Sequence, residues 1–159
     1  LTNGSVILQN DGEQSRIMNI KDGFALQLAV KQGFHVIIIS GGKSEAVKKR
    51  LQGLGITTIY MGASDKWDVF EEAKLSYDLD ETKIAYMGDD VPDYFVMNAV
   101  ALPTCPADAA PEIIKVSKYV SPVKGGEGCA RDIIEKVLRA QNKWFNTENA
   151  NPEDQKHLW

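Results

Sequence analysis

The chain has 159 residues and a mass of 17.6 kDa, which predicts a single domain around one hydrophobic core. Its residues are 43% hydrophobic and 25% charged, as in an ordinary globular protein, and no apolar run approaches the ~20 residues that a membrane span requires. A net charge of −4 without a dense Lys/Arg block argues against nucleic acid as the main partner. An anionic small substrate stays open, because it responds to local charge.

The cysteine content and the first residues bear on the compartment. Cys105 and Cys129 are too few for a disulfide framework and lie outside a CxxC spacing, so we expect the reducing cytoplasm. Cys129 is a poor candidate nucleophile, because a Cys–His pair would have to use His35 or His157. The chain begins at Leu1 without a signal-like segment, and we expect no secretion.

The first third of the chain predicts a flap and then a helix. Short strands are expected over residues 5–8 and 16–20, on either side of the turn signal Asn10-Asp11-Gly12. Together they form a β-hairpin that projects from the domain. A helix is expected over residues 24–31 and ends before Gly33.

From residue 35 onward, predicted strands and helices alternate. Strands are expected over residues 35–39, 57–61, 84–87, 100–102 and 119–120, and helices over 44–54, 67–77, 94–98, 107–116 and 129–144. The apolar, β-branched run at 35–39 is typical of parallel strands buried on both faces. This pattern predicts an α/β fold with a doubly wound, mostly parallel, Rossmann-like sheet, in one domain over residues 1–145. The polar, aperiodic residues 146–159 are expected to form a flexible tail.

An acidic cluster follows the predicted strand at residues 84–87. Asp89 and Asp90 lie where that strand should end, and Asp93 follows Pro92, which suits the first turn of a helix. Ligands bind beyond the carboxyl ends of the strands in an open α/β sheet, so these carboxylates are expected to face a ligand. Hard oxygen donors without a nearby His or Cys favour Mg²⁺ over zinc. The alternative is a polar turn with an N-capping Asp.

Three strand-end positions together suit phosphoryl chemistry. A phosphoryl group in transfer needs a hydroxyl with backbone N–H donors, an ammonium and a carboxylate-held metal, and Ser40, Lys66 and Asp89 can supply these. Gly41 and Gly42 would let backbone N–H groups approach the phosphate at a helix start. Taken singly, each is a common turn residue or a solvated helix-start residue, and their order along the chain strengthens the hypothesis.

The order Ser-Gly, then Lys, then Gly-Asp-Asp-x-x-Asp resembles the haloacid dehalogenase superfamily of phosphatases. More narrowly, the chain resembles the cap-less members that act on 3-deoxy-D-manno-octulosonate 8-phosphate. The resemblance reaches to about Trp144 and includes Leu1-Thr2-Asn3-Gly4, the hairpin, Asp22-Gly23, and Gly125-Gly126-Glu127-Gly128 ahead of Arg131. A glycine-rich tail segment combined with a flap and no cap insertion is distinctive of this subgroup.

This resemblance implies a Mg²⁺-dependent phosphatase in lipopolysaccharide precursor synthesis. In the family an Asp attacks phosphorus to form an aspartyl-phosphate, and a second Asp, two residues later, protonates the leaving group and activates water. Both belong to an opening Asp-x-Asp-Gly motif that would precede Leu1. We expect this sequence to lack its true amino terminus, because that segment would also be a central strand of the sheet.

The resemblance also implies a role for each matching residue. Ser40 would bind the phosphoryl oxygens, Lys66 would neutralise their charge and Asp89 would coordinate Mg²⁺. Asp90 and Asp93 would act behind them, by steering water ligands or the lysine. The substrate would be bound by Gly41, Gly42, Lys43, Asp22, Gly125, Gly126 and Arg131. Arg131 is a candidate for the sugar carboxylate, with a solvated helix residue as the alternative.

Gly42 departs from the family pattern, because octulosonate-type members commonly carry Arg there and nonulosonate-type members Glu. A nine-carbon sialic-type 9-phosphate is therefore an alternative substrate, and the adjacent Lys43 is an alternative cation. A response-regulator receiver is disfavoured, because it places its acidic pair near the amino terminus and its lysine late. A catalytically silent binding subunit is the remaining reading.

A homo-oligomer is expected, because no insertion is large enough to cap the site and shield it from water. The hairpin would present apolar side chains that usually need a partner, namely Val6, Ile7, Leu8, Ile17 and Met18. Family members associate as tetramers through this hairpin, so the resemblance implies a tetramer.

Overall fold

The structure is a computed structural model that describes residues 1–10, 12, 14–147 and 151. The hairpin strands are β1 (Ile7–Leu8) and β2 (Gln14–Ser15), followed by α1 (Ile20–Lys31). The remaining elements are β3 (Ile37–Ser40), α2 (Glu45–Gln52), β4 (Thr58–Met61), α3 (Lys66–Ser76), β5 (Ala85–Met87), α4 (Tyr94–Ala99), β6 (Leu102–Cys105), α5 (Pro111–Val116), β7 (Tyr119–Val120) and α6 (Cys129–Ala140). Short 3₁₀ turns at Glu81–Lys83 and Val91–Asp93 flank β5. The predicted alternation of strand and helix from β3 to α6 is confirmed.

Side-chain caps set the starts of three helices. Asn19 accepts hydrogen bonds from the backbone N–H groups of Lys21 and Asp22, so α1 begins at Ile20, four residues before the predicted start. Ser44 caps α2 and Asp65 caps α3 in the same way. The cap on α3 makes Lys66 the first residue of that helix, directly after the β4 loop.

Parallel pairing builds two sheets from the strands that follow α1. β3 pairs with β4, from Ile37 opposite Thr58 to Ser40 opposite Met61. β5, β6 and β7 form the other sheet in that order. Within the described residues no strand pairing joins β3 to β5. Ser40 ends β3, one residue beyond the predicted end of that strand, and Met87 ends β5 as predicted, so both lie at the carboxyl edge.

Helices pack on both faces of these strands, as a doubly wound fold requires. Ile38 of β3 contacts the cluster of Leu26 and Leu51 from α1 and α2, whereas Ile39 contacts Phe70 of α3 and its neighbours. Successive strand residues therefore face opposite helix layers. The α/β class and the parallel arrangement predicted from the sequence are confirmed.

The hairpin is present, and its detail differs from the prediction. β1 and β2 are antiparallel, and one bridge joins Thr2 to Met18, while the expected second strand over residues 16–20 is otherwise unpaired. The turn residue Asp11 lies outside the described residues. Apart from this hairpin, the described part of the chain adds no element to the alternation, in keeping with a cap-less form.

Three boundaries late in the chain also differ from the prediction, and one of them is the end of α6 at Ala140, four residues before the predicted end. The sixth strand runs over Leu102–Cys105 rather than 100–102, because Leu102, Pro103 and Thr104 pair with β5 while Cys105 reaches β7. α5 begins at Pro111, since the residues after Cys105 form turns instead. Of the predicted flexible tail, only residues 146, 147 and 151 are described, so that prediction lies largely outside the structure. No helix in the described part of the chain is long and apolar enough to cross a membrane.

Candidate active site

A buried carboxylate organises the loop after β5. Asp93 is 1% exposed, and its Oδ1 accepts hydrogen bonds from Lys66 Nζ at 2.7 Å and from the Tyr86 hydroxyl at 2.6 Å. Its Oδ2 accepts from the backbone N–H groups of Asp89 and Asp90 at 3.2 and 3.4 Å. Both oxygens are thus satisfied, as a buried charge requires. This arrangement fixes the Lys66 ammonium. The Lys66 side chain is 19% exposed.

Gly88 permits this arrangement because it has no side chain. A Cβ at Gly88 would lie 2.4 Å from Asp93 Cβ and 2.7 Å from Met97 Sδ. Asp90 caps the following 3₁₀ turn, where its Oδ1 accepts from the Val91 N–H at 2.8 Å. The capping reading of the acidic cluster therefore holds for Asp90, while Asp93 contacts the lysine that it was predicted to steer.

Asp89 differs from its two acidic neighbours. No hydrogen bond or ion pair within the described residues uses its carboxylate, and the side chain is exposed. Loss of hydration, and then the charge of Asp93, raise the pKa of Asp89, while the charge of Lys66 acts in the opposite direction.

The Asp89 carboxylate fits the predicted magnesium site by its chemistry. It is an oxygen donor without a protein partner, beside a second carboxylate, where a cation would relieve the repulsion. Among the described residues no three acidic, His or Cys side chains cluster as metal ligands. Asp89 would therefore be one ligand, which agrees with the habit of Mg²⁺ to take one or two carboxylates and keep several waters.

The loop after β3 is held against the loop after β4. The Gly42 N–H donates to Ser40 Oγ at 3.2 Å, and the Ala63 N–H donates to the Ser40 carbonyl at 3.0 Å. The Gly62 N–H donates to the Gly42 carbonyl, and the alkyl chain of Lys43 lies over Gly62. No hydrogen bond joins Ser40 to Lys66 within the described residues, but the Ala63 N–H, in the loop before Lys66, bonds the Ser40 carbonyl.

The predicted glycine-rich segment lies against the amino-terminal residues. Gly126 has a φ of 72°, and a Cβ there would lie 2.4 Å from the Asn3 backbone nitrogen. The Gly125 N–H donates to Asp108 Oδ1 at 2.8 Å. Only glycine combines this φ with this close approach, which explains Gly126 physically. The segment thus packs on Thr2 and Asn3, close to where the family's opening motif would end.

Asp22 and Arg131 are joined through the backbone rather than through their charges. Asp22 is 1% exposed, and its Oδ1 accepts from the Arg131 N–H at the start of α6. The Arg131 guanidinium lies over the rings of Phe24 and Trp144 and pairs with Glu135. In this structure both residues bind protein groups, and their contact with substrate stays a prediction.

Two residues near the site were missed by the sequence analysis. Tyr86 donates to Asp93, and burial together with that carboxylate raises the pKa of its hydroxyl. Arg16, from the hairpin, places its guanidinium beside Gly42. Tyr86 carries a weak signal, because it lies two residues before Gly88 in the strand that leads to the cluster. Arg16 carries none, since its contact is made across the fold.

Comparison with known proteins places the chain in a family. The 3-deoxy-D-manno-octulosonate 8-phosphate phosphatase of Escherichia coli strain K12 is 35% identical over 143 residues, which are 90% of this chain and 76% of that protein. The homologue from Yersinia pestis is 33% identical over the same shares. The chain belongs to the 3-deoxy-D-manno-octulosonate 8-phosphate phosphatase family. No protein-family model matches it.

The family's solved structures agree with this membership. The Moraxella catarrhalis phosphatase, in complex with a magnesium ion, a phosphate ion and a KDO molecule, superimposes with a TM-score of 0.86 at 29% identity, over 89% of this chain and 82% of that one. A hydrolase of the HAD superfamily from Legionella pneumophila gives a TM-score of 0.86 at 31% identity, over 90% and 79%. The predicted superfamily and cap-less family are both confirmed.

Proposed function

We propose that the protein, with the family's opening motif ahead of Leu1, is a Mg²⁺-dependent phosphatase that hydrolyses 3-deoxy-D-manno-octulosonate 8-phosphate. The observation that carries this proposal is the buried Asp93, which holds the Lys66 ammonium beside the unpartnered Asp89 carboxylate. A fixed cation beside a metal-binding carboxylate is what the three anionic oxygens of a transferring phosphoryl group require. Membership of a family of such phosphatases supports the same conclusion.

Each strand-end residue has a proposed task. The Ser40 hydroxyl and the Gly41 N–H bind the phosphoryl oxygens, joined by the Gly42 N–H when it leaves Ser40 Oγ. Lys66 offsets the charge that these oxygens share with the nucleophile. Asp93 holds the Lys66 ammonium near the phosphoryl site through a hydrogen bond to Oδ1. Asp93 is itself held in place, because its Oδ2 accepts from the Asp89 N–H. Asp90 shapes the loop by capping its 3₁₀ turn.

Asp89 would hold the magnesium ion together with the opening aspartates. When bound, the ion supplies charge stabilisation for the phosphoryl oxygens and for the nucleophilic carboxylate. The opening Asp-x-Asp-Gly motif supplies the nucleophile and the general acid. Reading the coding sequence upstream of Leu1 tests this requirement, and a segment without both aspartates would favour the silent binding subunit.

The sugar side of the pocket is less determined than the phosphate side. Gly42 offers no side chain to read the substrate, so a nine-carbon sialic-type 9-phosphate is the second candidate. Asp22, Lys43, Gly125, Gly126 and Arg131 are proposed to line the pocket, with Arg131 released from Glu135 to meet the sugar carboxylate. This rearrangement breaks the ion pair with Glu135 and the contacts with the Phe24 and Trp144 rings, and the 35% exposure of the side chain leaves room for it.

A turnover panel tests the proposed activity. The full-length protein should release phosphate from the eight-carbon sugar-acid phosphate with the highest kcat/KM, less from the nine-carbon analogue and least from simple sugar phosphates. Chelation should abolish release, and added Mg²⁺ should restore it. Full activity of the metal-stripped protein would overturn metal dependence, and preference for the nine-carbon ester would reassign the substrate.

We also propose the setting in which this enzyme acts. Residues 1–145 would form one domain of a homotetramer that assembles through the hairpin. The hairpin supports this because Ile7, Leu8 and Ile17 are 57, 75 and 57% exposed. A cytoplasmic location is supported by the free, buried thiols of Cys105 and Cys129, which suit a reducing compartment.

A further inference from the structure

Gly42 leaves a space beside the phosphate-binding loop, and a residue from elsewhere in the chain fills it. The position that a Cβ on Gly42 would take lies 3.4 Å from Arg16 Nη2 and 3.5 Å from Ser40 Oγ. The Arg16 guanidinium therefore stands at the side of Gly42 where a longer side chain would begin. It is also close to the hydroxyl that the proposed function assigns to the phosphoryl group.

The conformation of Gly42 does not demand glycine. Its φ is not positive, and the contacts that a Cβ would meet are of ordinary van der Waals length. Backbone strain therefore gives no reason for the missing side chain. Instead, the Arg16 guanidinium occupies the space that a longer side chain at position 42 would need.

The hairpin holds Arg16 in this place. β2 ends at Ser15, and Met18 pairs with Thr2 and packs against the core cluster of Leu26 and Leu51. Residues 16 and 18 lie on the same face of an extended segment, while Ile17 points away and is 57% exposed. Arg16 is thus anchored on both sides, which lowers the entropy that it would lose on binding a ligand.

No described side chain forms an ion pair with Arg16. Arg16 lines a groove of about 440 Å³ together with Arg50, Gln9, Gln14 and Ser44, and no Asp or Glu is among the described residues that line it. In a chain of net charge −4, a groove whose described lining holds two arginines and no carboxylate is suited to an anion.

We propose that Arg16 is a substrate-binding residue that replaces, from the hairpin, the side chain absent at Gly42. Its guanidinium would donate to an oxyanion of the substrate, either the phosphoryl group or the carboxylate of the sugar acid. The planar fork of arginine matches both anions in bidentate geometry. The inference rests on the proposed function, because it concerns the substrate of that same site.

Steady-state kinetics of the full-length protein test this inference. Arg16→Ala should raise KM for the sugar-acid phosphate about ten- to a hundredfold, as expected for loss of a charge-assisted hydrogen bond. Lys115→Ala, which removes an exposed cation from α5, is the control and should leave KM unchanged. An inactive wild-type protein would refute the proposed function, whereas an active wild type with an unchanged Arg16→Ala KM would refute the role of Arg16 alone.

A second substitution separates binding from a merely structural role. Gly42→Arg should restore most of the lost affinity in the Arg16→Ala background, because its side chain starts in the vacated space. The same substitution alone should bring no gain, since two guanidinium groups would then compete for one position. Rescue of KM supports the proposal, and a double variant no better than Arg16→Ala overturns it.

Product inhibition identifies the oxyanion that Arg16 binds. If Arg16 meets the phosphoryl group, Arg16→Ala should weaken inhibition by inorganic phosphate about tenfold and leave inhibition by the free sugar acid unchanged. If it meets the carboxylate, the pattern should reverse. Unchanged inhibition by both products would overturn the assignment.

Discussion

Lys66 and Asp93 form an ion pair in which one member is buried and the other faces the site. The buried Asp93 carboxylate accepts hydrogen bonds from an ammonium, a phenol and two backbone N–H groups, so its displacement would be costly. It therefore fixes the position of the lysine ammonium. The preorganisation that phosphoryl transfer needs thus originates in residues that need not touch the substrate.

Removal of the Lys66 charge should therefore lower the rate of the chemical step. We expect Lys66→Met to lower kcat at least about a hundredfold, as for loss of a preorganised electrostatic donor, and Ser40→Ala to cost less because backbone N–H groups remain. Lys74→Met is the matched control, because Lys74 lies on the same helix and pairs with Glu71 and Glu81 instead. Circular dichroism checks that each variant is folded. Near-normal turnover of Lys66→Met would make Lys66 an ordinary helix-start residue.

Asp89 links the stability of the metal-free protein to pH. Because its pKa is raised in the folded state, the folded protein binds the proton more tightly than the unfolded chain does. The free energy of unfolding should therefore fall, through this group, as pH rises above the ordinary carboxyl value of about 4. Asp89→Asn should remove that decline and stabilise the metal-free protein at neutral pH.

The measurement is urea unfolding of metal-free wild type and Asp89→Asn between acid and neutral pH. Added Mg²⁺ should raise the midpoint for the wild type at neutral pH and have little effect on Asp89→Asn, since only a ligand that binds the folded state stabilises it. Parallel stability profiles for the two proteins, or an equal response to Mg²⁺, would contradict the assignment of Asp89 as a metal ligand.

Among the elements, the turn from β5 into the 3₁₀ helix is the most constrained. A methyl group at Gly88 would overlap Asp93 and Met97, so Gly88→Ala should destabilise the protein by about 1–3 kcal/mol and displace Asp93 from Lys66. Gly53→Ala is a suitable control, because Gly53 follows α2 with φ and ψ that alanine adopts readily, and a Cβ there meets nothing closer than 3.4 Å. The midpoint of thermal unfolding and kcat should both fall for Gly88→Ala and stay unchanged for Gly53→Ala.

The elements show how far a sequence-based prediction reaches. The run at Ile37–Ser40 and the acidic turn after Met87 were predictable, because apolar β-branched segments and strand-end glycines carry local signals. The start of α1 was placed too late, because the Asn19 cap was not recognised. β6 was misplaced because its position depends on pairing with β5 and β7, which no local pattern records.

In the candidate site, too, residues with a local sequence signal were predictable, whereas contacts made across the fold were not. Asp89 and Asp93 fall within one contiguous motif, and Lys66 follows a strand, so their grouping follows from the rule that parallel strands share a carboxyl edge. Arg16 reaches Gly42 only through the placement of the hairpin, and the Arg131 side chain is diverted by Phe24 and Trp144. Such contacts depend on tertiary geometry, and a single sequence does not contain them.

At the scale of the whole molecule, the first and last helices pack against each other. α1 packs along α6, and Asp22 of α1 caps the backbone of α6 at Arg131. The glycine-rich segment that precedes α6 lies on Thr2 and Asn3, which lead into the hairpin. A site bordered by these residues is sensitive to anything that moves the hairpin, including a neighbouring subunit.

Assembly through the hairpin should therefore govern activity. We expect light scattering to give a wild-type mass larger than a dimer, and Leu8→Lys to dissociate the assembly and lower turnover, because Leu8 is an exposed apolar residue of β1. Leu75→Lys is the matched control, since Leu75 is 80% exposed on α3, away from the hairpin strands, and its substitution should change neither mass nor turnover. If only mass falls in Leu8→Lys, the subunit needs no neighbour for catalysis. A monomeric wild type with full turnover would contradict the assembly itself, and the hairpin would then serve its own subunit alone by presenting Arg16 to the groove.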